Sequence, residues 1–297
     1  MKKALTYSAA VCLFSWAVFG AIYFASGGTI QSNKLLYTVI ESLYMLSPMI
    51  VAGTLQLIRK EPFRSTGLLK FRINWTWLVA LLLPLFAVAL SVLISALMPG
   101  VRLHYGAGQV ISQFNLDDAT AAALEAQMSS ISPALLIGSQ VLSGLLAGCT
   151  INAIFAFGEE YGWRNYLVSA LEGTGFWKKA LFIGFVWGIW HMPLILLGHN
   201  YPQHPVLGVG LMCVECILLG AIELYLVLKS GSVFPAAIFH GTINALTGLV
   251  LMLVEGGNDL TIGLTGIAGF ITLMLIIAGI WIYDKYVSKD GIMAVNK

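Results

Sequence analysis

The sequence predicts an all-α, polytopic membrane protein with about eight transmembrane helices, and three features of its composition indicate this. Of the 297 residues, 58% are hydrophobic and only 10% are charged, and the mean hydropathy is +0.85. Soluble globular domains carry about 25% charged residues. The net charge of +2 is too small to indicate a nucleic-acid partner. The lipid bilayer is therefore the expected surrounding of this chain.

Eight apolar segments have the length of a membrane span, since a helix needs about 20 apolar residues to cross a hydrocarbon core of about 30 Å. They lie near residues 4–26, 35–58, 75–98, 133–158, 180–198, 206–229, 233–254 and 261–283. The fifth segment is short and the gap before the seventh is narrow, so seven or nine spans remain open. We expect one transmembrane domain over 1–297, with a hydrophilic segment at 99–132 that includes a surface helix.

The distribution of basic residues predicts the orientation, because cytoplasmic loops are enriched in Lys and Arg. With both termini cytoplasmic, 14 of the 16 Lys and Arg residues fall inside, and only Lys34 and Arg102 fall outside. With a wrong number of spans, these Lys and Arg residues would be distributed over both sides of the membrane. The inside set is Lys2, Lys3, Arg59, Lys60, Arg64, Lys70, Arg72, Arg164, Lys178, Lys179, Lys229, Lys285, Lys289 and Lys297. The prediction is an integral, multi-pass protein, in the plasma membrane if the source is prokaryotic.

Several ionisable side chains lie within or at the edge of the predicted spans, where a charge costs about 2.5–3.5 kcal/mol at the centre. They are Glu41, Glu159, Glu160, His191, Glu215, Glu223 and His240, accompanied by the neutral Asn244. We set aside the histidines of the outer loops as solvated; these are His104, His199 and His204.

Glu159 and Glu160 end the fourth predicted span at its cytoplasmic edge, in "FGEEYGWR". The helix is expected to continue as a cytoplasmic extension to about Gly173. Glu160 and Arg164 are four residues apart and so share a helix face, whereas Glu159 is rotated by about 100°. The spacing predicts that Arg164 holds Glu160 while Glu159 faces another helix. The alternative is that both glutamates are solvated and Arg164 is an interfacial anchor.

Two predicted spans place a histidine in the inner half of the membrane. His191 follows Trp187 by four residues and precedes Pro193, which interrupts the helical hydrogen bonds. His240 and Asn244 are also four residues apart, which puts imidazole and amide on one face. Taken singly, each histidine is explained as well by packing or by hydrogen bonds between helices.

The combination of these residues on three helices predicts a polar pocket that opens to the cytoplasmic side. A carboxylate with an imidazole supplies a general base and a proton shuttle, and a second imidazole with an amide supplies donors for an oxyanion. These groups suit the hydrolysis of an amide bond. The sequence has no GxSxG, HExxH, GxGxxG or P-loop motif.

The motifs resemble those of the CPBP family (CAAX proteases and bacteriocin-processing enzymes, also called Abi), intramembrane peptidases related to type II CAAX prenyl endopeptidase. "EEYGWR" resembles its EExxxR motif, "WGIWH" its aromatic-xxx-His motif, and "HGTIN" its HxxxN motif. The three occur in the family's order within a motif-bearing core at about 133–254. Trp187 departs from the pattern, because phenylalanine is usual there.

The resemblance implies roles for the residues at the motif positions. Glu159 would activate a water molecule with help from His191, and His240 and Asn244 would stabilise the oxyanion. Glu160, Arg164 and Trp187 would be supporting residues. On this glutamate mechanism no cofactor is needed. The alternative is a catalytic zinc ion bound by Glu159, His191 and His240, since catalytic zinc commonly has three protein ligands.

These features are compatible with three functions. The first is an endopeptidase that cleaves a membrane-associated peptide or protein near the cytoplasmic face, of CAAX type or another. The second is a non-catalytic immunity or scaffold protein of the same fold. The third is a transporter that uses Glu41, Glu215 and Glu223 as a relay; no repeated or unwound pair of segments points to alternating access.

Overall fold

The computed structural model describes residues 1–63, 67–288 and 290–294, and it is almost entirely helical. The predicted all-α class is thereby confirmed. The helices of the described residues are α1 (Lys2–Ala25), α2 (Lys34–Tyr44), α3 (Ser47–Ile58), α4 (Trp75–Ser95), α5 (Gly108–Phe114), α6 (Asp118–Ser129), α7 (Pro133–Cys149), α8 (Ile151–Glu160), α9 (Val168–Ala170), α10 (Phe176–Trp190), α11 (Met192–Leu196), α12 (Pro205–Ser230), α13 (Phe234–Leu246), α14 (Leu249–Leu253) and α15 (Ile267–Ile282).

Six helical segments of the described chain are long and apolar enough to cross a membrane, or up to seven if one bent pair forms a single span. That pair is α6 with α7, which meet at 103°. The six are Lys2–Ala25, Leu35–Ile58, Trp75–Ser95, Pro205–Ser230, Phe234–Leu253 and Ile267–Ser288. The protein is therefore polytopic, while the count of eight spans remains a prediction.

The fourth and fifth predicted spans are both divided, which is why neither reaches full length. Thr150 separates α7 from α8 with φ −123° and ψ −100°. His191 separates α10 from α11, and Pro193, which has no N–H to donate, is near the start of α11. Each break lies beside residues that the motifs single out.

The chain continues helically beyond Glu160, as predicted, but not as an exposed extension. Tyr161–Leu167 forms a π-helical turn, and all seven of its residues are buried. The short α9 follows, and Gly173 has φ +78° just after it. The predicted extension is therefore a buried part of the bundle that packs against α3, and its cytoplasmic position remains a prediction.

Glycines let the helices that carry the motifs approach closely. A Cβ atom at Gly184 would lie 2.4 Å from the Cα atom of Ile217, and one at Gly188 would lie 2.4 Å from that of Cys213. These contacts fix α10 against α12. Gly241, next to His240, similarly contacts the start of α8, where a Cβ atom would lie 2.7 Å from the backbone N of Ala153. Backbone contact at small residues is a common way to join membrane helices.

The chain has a basic end, formed by residues 1–3, 59–63, 67–72, 229–233 and 283–288, and contacts tie these segments together. Lys3 pairs with Glu61 at 2.6 Å, Val233 donates its backbone N–H to Leu68, and the Lys229 ammonium lies 5.7 Å from the centre of the Tyr283 ring. Three residues of the predicted cytoplasmic set lie outside the described residues: Arg64, Lys289 and Lys297.

The opposite end consists of residues 27–33, 99–107, 198–204 and 254–266. Here Gln31 donates to the carbonyl of Leu197 at 2.5 Å, and the Tyr201 hydroxyl donates to the carbonyl of Thr265 at 2.7 Å. Two short strands, β1 (Arg102–Leu103) and β2 (Val254–Glu255), pair antiparallel at this end. Arg102 and Lys34 are the basic residues that the sequence places on this side.

Candidate active site

A cavity of about 350 Å³ lies between α2, α8, α10, α12 and α13. The structure brings five of the predicted site residues to its wall: Glu159, Trp187, His191, His240 and Asn244. Glu160 and Arg164 lie behind this wall, away from the cavity. The arrangement separates a carboxylate that can reach a substrate from one that cannot.

Glu159 is 1% exposed, so the alternative of a solvated interfacial carboxylate is wrong. Its Oε2 accepts hydrogen bonds from the indole N–H of Trp187 at 2.6 Å and of Trp163 at 3.3 Å. Its Oε1 faces Nε2 of His240 at 3.9 Å, which is too long for a direct hydrogen bond. The two indole N–H groups therefore fix Oε2 in place, and Oε1 is left to face the cavity.

Glu160 and Arg164 pair, as the spacing predicts, with Nη1 3.1 Å from Oε1. The other terminal nitrogen of Arg164 contacts the carboxylate of Glu223 on α12, and the guanidinium lies 4.3 Å from the centre of the Trp187 ring. All of these groups are buried. Arg164 is thus the shared cation of two buried carboxylates rather than an interfacial anchor.

His240 lies between the two glutamates. Its Nδ1 is 3.0 Å from Oε1 of Glu160, and since an ionised carboxylate can only accept, Nδ1 carries a proton. Nε2 then faces Glu159 and the cavity. Asn244, one turn later on α13, lies on the same cavity wall.

His191 is positioned by the end of α10. Its Nδ1 is 2.8 Å from the carbonyl of Trp187, which can only accept, so this nitrogen also carries a proton. Nε2 of His191 is left as the basic nitrogen of the ring. The interruption at Pro193 thus leaves the imidazole beside the cavity with a defined tautomer.

The arrangement of the donor atoms decides which residues could hold a metal ion. In the part of the chain that the structure describes, one group of His, Cys, Asp or Glu has ligand atoms within 4.8 Å of one another, and it consists of Glu160, Glu223 and His240. This is not the set of Glu159, His191 and His240 that the zinc alternative names. Because Arg164 contacts both carboxylates of the group, a divalent ion would have to displace a guanidinium.

The sequence did not assign three acidic or basic side chains to the site. Glu223 was considered for a relay, as a structural group or as part of a substrate path, but its pairing with Arg164 was not predicted. His199 was set aside as solvated, yet its Nδ1 lies 2.7 Å from Oε1 of Glu41 at the cavity wall. Glu215 lines the same cavity and is 5% exposed. No local spacing could reveal these contacts, because each joins distant segments.

The cavity extends from Glu159 towards the opposite end, where His199, Asn200, Leu264 and Thr265 line it. The buried turn Tyr161–Leu167 closes it towards the basic end. The sequence predicted both cytoplasmic termini and a pocket opening to the cytoplasm. Both remain predictions.

The motif-bearing part of the chain is similar to known proteins. Residues 139–246 match the family model described as "Type II CAAX prenyl endopeptidase Rce1-like". The resemblance predicted from the motifs is confirmed. The chain is also 33% identical to CAAX prenyl protease 2 of Methanococcus maripaludis over 134 residues, which is 43% of this chain and 46% of that relative. The match thus spans about half the length of the relative, and the Rce1-like segment contains all three motifs.

Substitution of Trp187 tests how far the candidate site depends on the orientation of Glu159. Trp187→Phe keeps an aromatic ring beside Arg164 but removes the N–H that Glu159 accepts. A hydrogen bond to a charged group contributes about 1.5–3 kcal/mol, so we expect kcat for peptide cleavage to fall about tenfold or more. Trp163→Phe is the matched control and should have a smaller effect, since its bond is longer. Equal rates in wild type and Trp187→Phe would contradict this orienting role.

Proposed function

We propose that the protein is an intramembrane endopeptidase in which Glu159 activates the water molecule that attacks a peptide bond. One observation carries the proposal: a buried carboxylate, two imidazoles and an amide, from three helices, line one cavity. The Rce1-like segment at 139–246 supports a peptidase. A general base of this kind typically accelerates a reaction by about 10²–10⁴-fold.

The reaction can be written with this chain's own residues. Glu159, assisted by the basic Nε2 of His191, takes a proton from water while the oxygen attacks the peptide carbonyl. The carbonyl becomes an oxyanion, which accepts hydrogen bonds from Nε2–H of doubly protonated His240 and from the amide of Asn244. When the C–N bond breaks, Glu159 returns its proton to the departing amine. The products are a carboxylic acid and an amine.

Glu160 and Arg164 act through His240 in this proposal. Glu160 accepts from Nδ1 of His240 at 3.0 Å and so orients the ring, and Arg164 holds Glu160 in place. A hydrogen bond that fixes one ring nitrogen of a buried imidazole leaves the other nitrogen available for substrate. Neither residue would touch the substrate.

We propose that the reaction needs no metal. Hydrogen bonds from Trp187 and Trp163 already hold one oxygen of Glu159, so that the other oxygen is oriented without a metal ion. The neighbouring carboxylates, Glu160 and Glu223, already have a cation between them, which is Arg164. Zinc held by Glu159, His191 and His240 is the competing proposal, in which the ion would polarise the carbonyl or the water. Loss of cleavage on chelation, with recovery on added zinc, would favour it.

The substrate class is a membrane-associated peptide or protein. The relative's name indicates CAAX peptides for that relative, and a CAAX-type peptide is one candidate for this chain. A second is any peptide segment that reaches the cavity from the membrane surface.

The test compares the membrane peptides of cells that express wild type, Glu159→Gln or Glu125→Gln. Glu125 is exposed on α6, far from the motifs in sequence, and serves as the control. We expect fragments present with wild type and Glu125→Gln to be replaced by uncleaved precursors with Glu159→Gln. Identical peptides in all three would refute the proposal. A cellular phenotype that Glu159→Gln still supports would instead favour the immunity or scaffold alternative.

A further inference from the structure

One acidic side chain of the cavity wall, Glu215, has no part in the proposed reaction. It lies near the middle of α12 and lines the cavity. The residue is 5% exposed, and its Oε2 has no hydrogen-bond partner among the residues that the structure describes. A buried carboxylate without a donor is costly, above all within a membrane. The side chain therefore lacks a donor that a bound molecule could supply.

A basic side chain compensates the other glutamate of α12, but not Glu215. Glu223, eight residues further along the helix, contacts the guanidinium of Arg164. Eight residues of α-helix span about 12 Å, so Arg164 cannot reach both carboxylates. Glu41, on α2, has His199 as its own partner at 2.7 Å. Within the described part of the chain no Lys or Arg lines the cavity, so its basic partner would have to come with the substrate.

Contacts between α10 and α12 place Glu215 at the height of His191 in the bundle. A Cβ atom at Gly188 would lie 2.4 Å from the Cα atom of Cys213, and Sγ of Cys216 lies 3.9 Å from Nδ1 of His191. Glu215 lies between these two contact points on α12. A substrate group bound at Glu215 would therefore belong to a residue close to the peptide bond that is cleaved.

The surroundings of Glu215 on α12 fit a long side chain with a cationic head. Met212 and Leu219, about one turn to either side of it, also line the cavity and are apolar. Lysine and arginine side chains pack their aliphatic stems on apolar surface and carry the charge at the tip. A carboxylate between two apolar side chains offers contacts to both parts of such a side chain.

We propose that Glu215 binds a Lys or Arg side chain of the peptide substrate, so that the protein selects peptides with a basic residue next to the cleaved bond. This inference rests on the proposed function for the cleavage, but the binding itself needs no catalysis. A neutral side chain at the same place would leave the carboxylate without a donor, and an acidic one would be repelled. Glu215 is thus a specificity-determining residue.

The experiment measures which peptides the full chain retains from a mixture that is randomised at every position. The purified protein in detergent carries Glu159→Gln, so that bound peptides are not cleaved, and the retained peptides are sequenced by mass spectrometry. Glu215→Gln is then added to this protein. Glu41→Gln is the matched control, because it removes one carboxylate from the same cavity wall. A second measurement needs no variant at 215: n-butylguanidinium and the neutral n-butylurea compete with the retained peptides.

We expect Lys and Arg to be enriched about tenfold in the retained peptides, the effect of one hydrogen bond to a charged group. Glu215→Gln should abolish the enrichment and Glu41→Gln should preserve it. The guanidinium compound should displace the peptides at lower concentration than the urea.

Three results would overturn the proposal. They are retention of Lys and Arg peptides no higher than their share of the mixture, enrichment that is lost in Glu41→Gln as fully as in Glu215→Gln, and equal displacement by the two compounds. Retention is measured without cleavage, so it is independent of the comparison of membrane peptides. The expected enrichment, together with membrane peptides that Glu159→Gln leaves unchanged, would reject the peptidase and leave the binding of a basic side chain intact.

Discussion

Purified Glu159→Gln is expected to lose about 10²–10⁴-fold in kcat for peptide cleavage, the range attributed to a general base. Glutamine has nearly the same shape, and its amide oxygen can still accept the hydrogen bond from Trp187. It cannot take a proton from water. The change should therefore leave the thermal unfolding temperature close to that of wild type, and cleavage rates and thermal unfolding in detergent are the measurements.

Glu160→Gln is the matched control, because it alters the neighbouring carboxylate behind the cavity wall. We expect a smaller loss of kcat, together with a changed pH dependence, since Glu160 accepts from Nδ1 of His240 rather than contacting substrate. If Glu160→Gln were the more damaging variant, the assignment of roles would be reversed. Full activity in Glu159→Gln would exclude a mechanism in which Glu159 is the general base.

Arg164→Met is expected to destabilise the fold by about 3–5 kcal/mol, the effect of removing one partner from a buried ion pair. Methionine fills much of the space beside Trp187. It leaves Glu160 and Glu223 buried without the cation that they share. The free energy of unfolding, or the loss of folded protein in detergent with temperature, measures the effect.

Arg59→Met is the control for removal of an arginine, because Arg59 is half-buried and donates to the Tyr166 hydroxyl at 3.2 Å. It should change stability by at most about 1 kcal/mol. The triple variant Arg164→Met, Glu160→Gln, Glu223→Gln should recover much of the lost stability, since it removes the buried charges together. Failure to recover would show that Arg164 acts through packing, not through its charge.

The fold class and the residues of the site could be predicted because they depend on local spacing. Twenty apolar residues specify a membrane helix regardless of its neighbours, and four residues along a helix bring Glu160 to Arg164. The same rule places His240 beside Asn244. The resemblance of the three motifs to those of a known family then indicated which three helices supply the residues of the site.

What could not be predicted depends on contacts between distant segments. Glu223 is 59 residues from Arg164 along the chain, and nothing on α12 indicates that a guanidinium lies beside it. Solvation of the outer loops was assumed for His199, but the loop turns inward to meet Glu41.

The close contact of α10 with α12 has a consequence for how such a site can diversify. Gly184 and Gly188 leave no room for a side chain, so the pair that carries Trp187, His191 and Glu223 tolerates little change. By contrast, α2 lines the cavity with Thr38, Glu41 and Ser42, while Leu35, Leu36, Val39 and Leu43 on it are at least 45% exposed. We therefore expect changes of substrate preference to arise by mutation on α2, while the positions of Trp187 and His191 are kept by the close contact of α10 with α12.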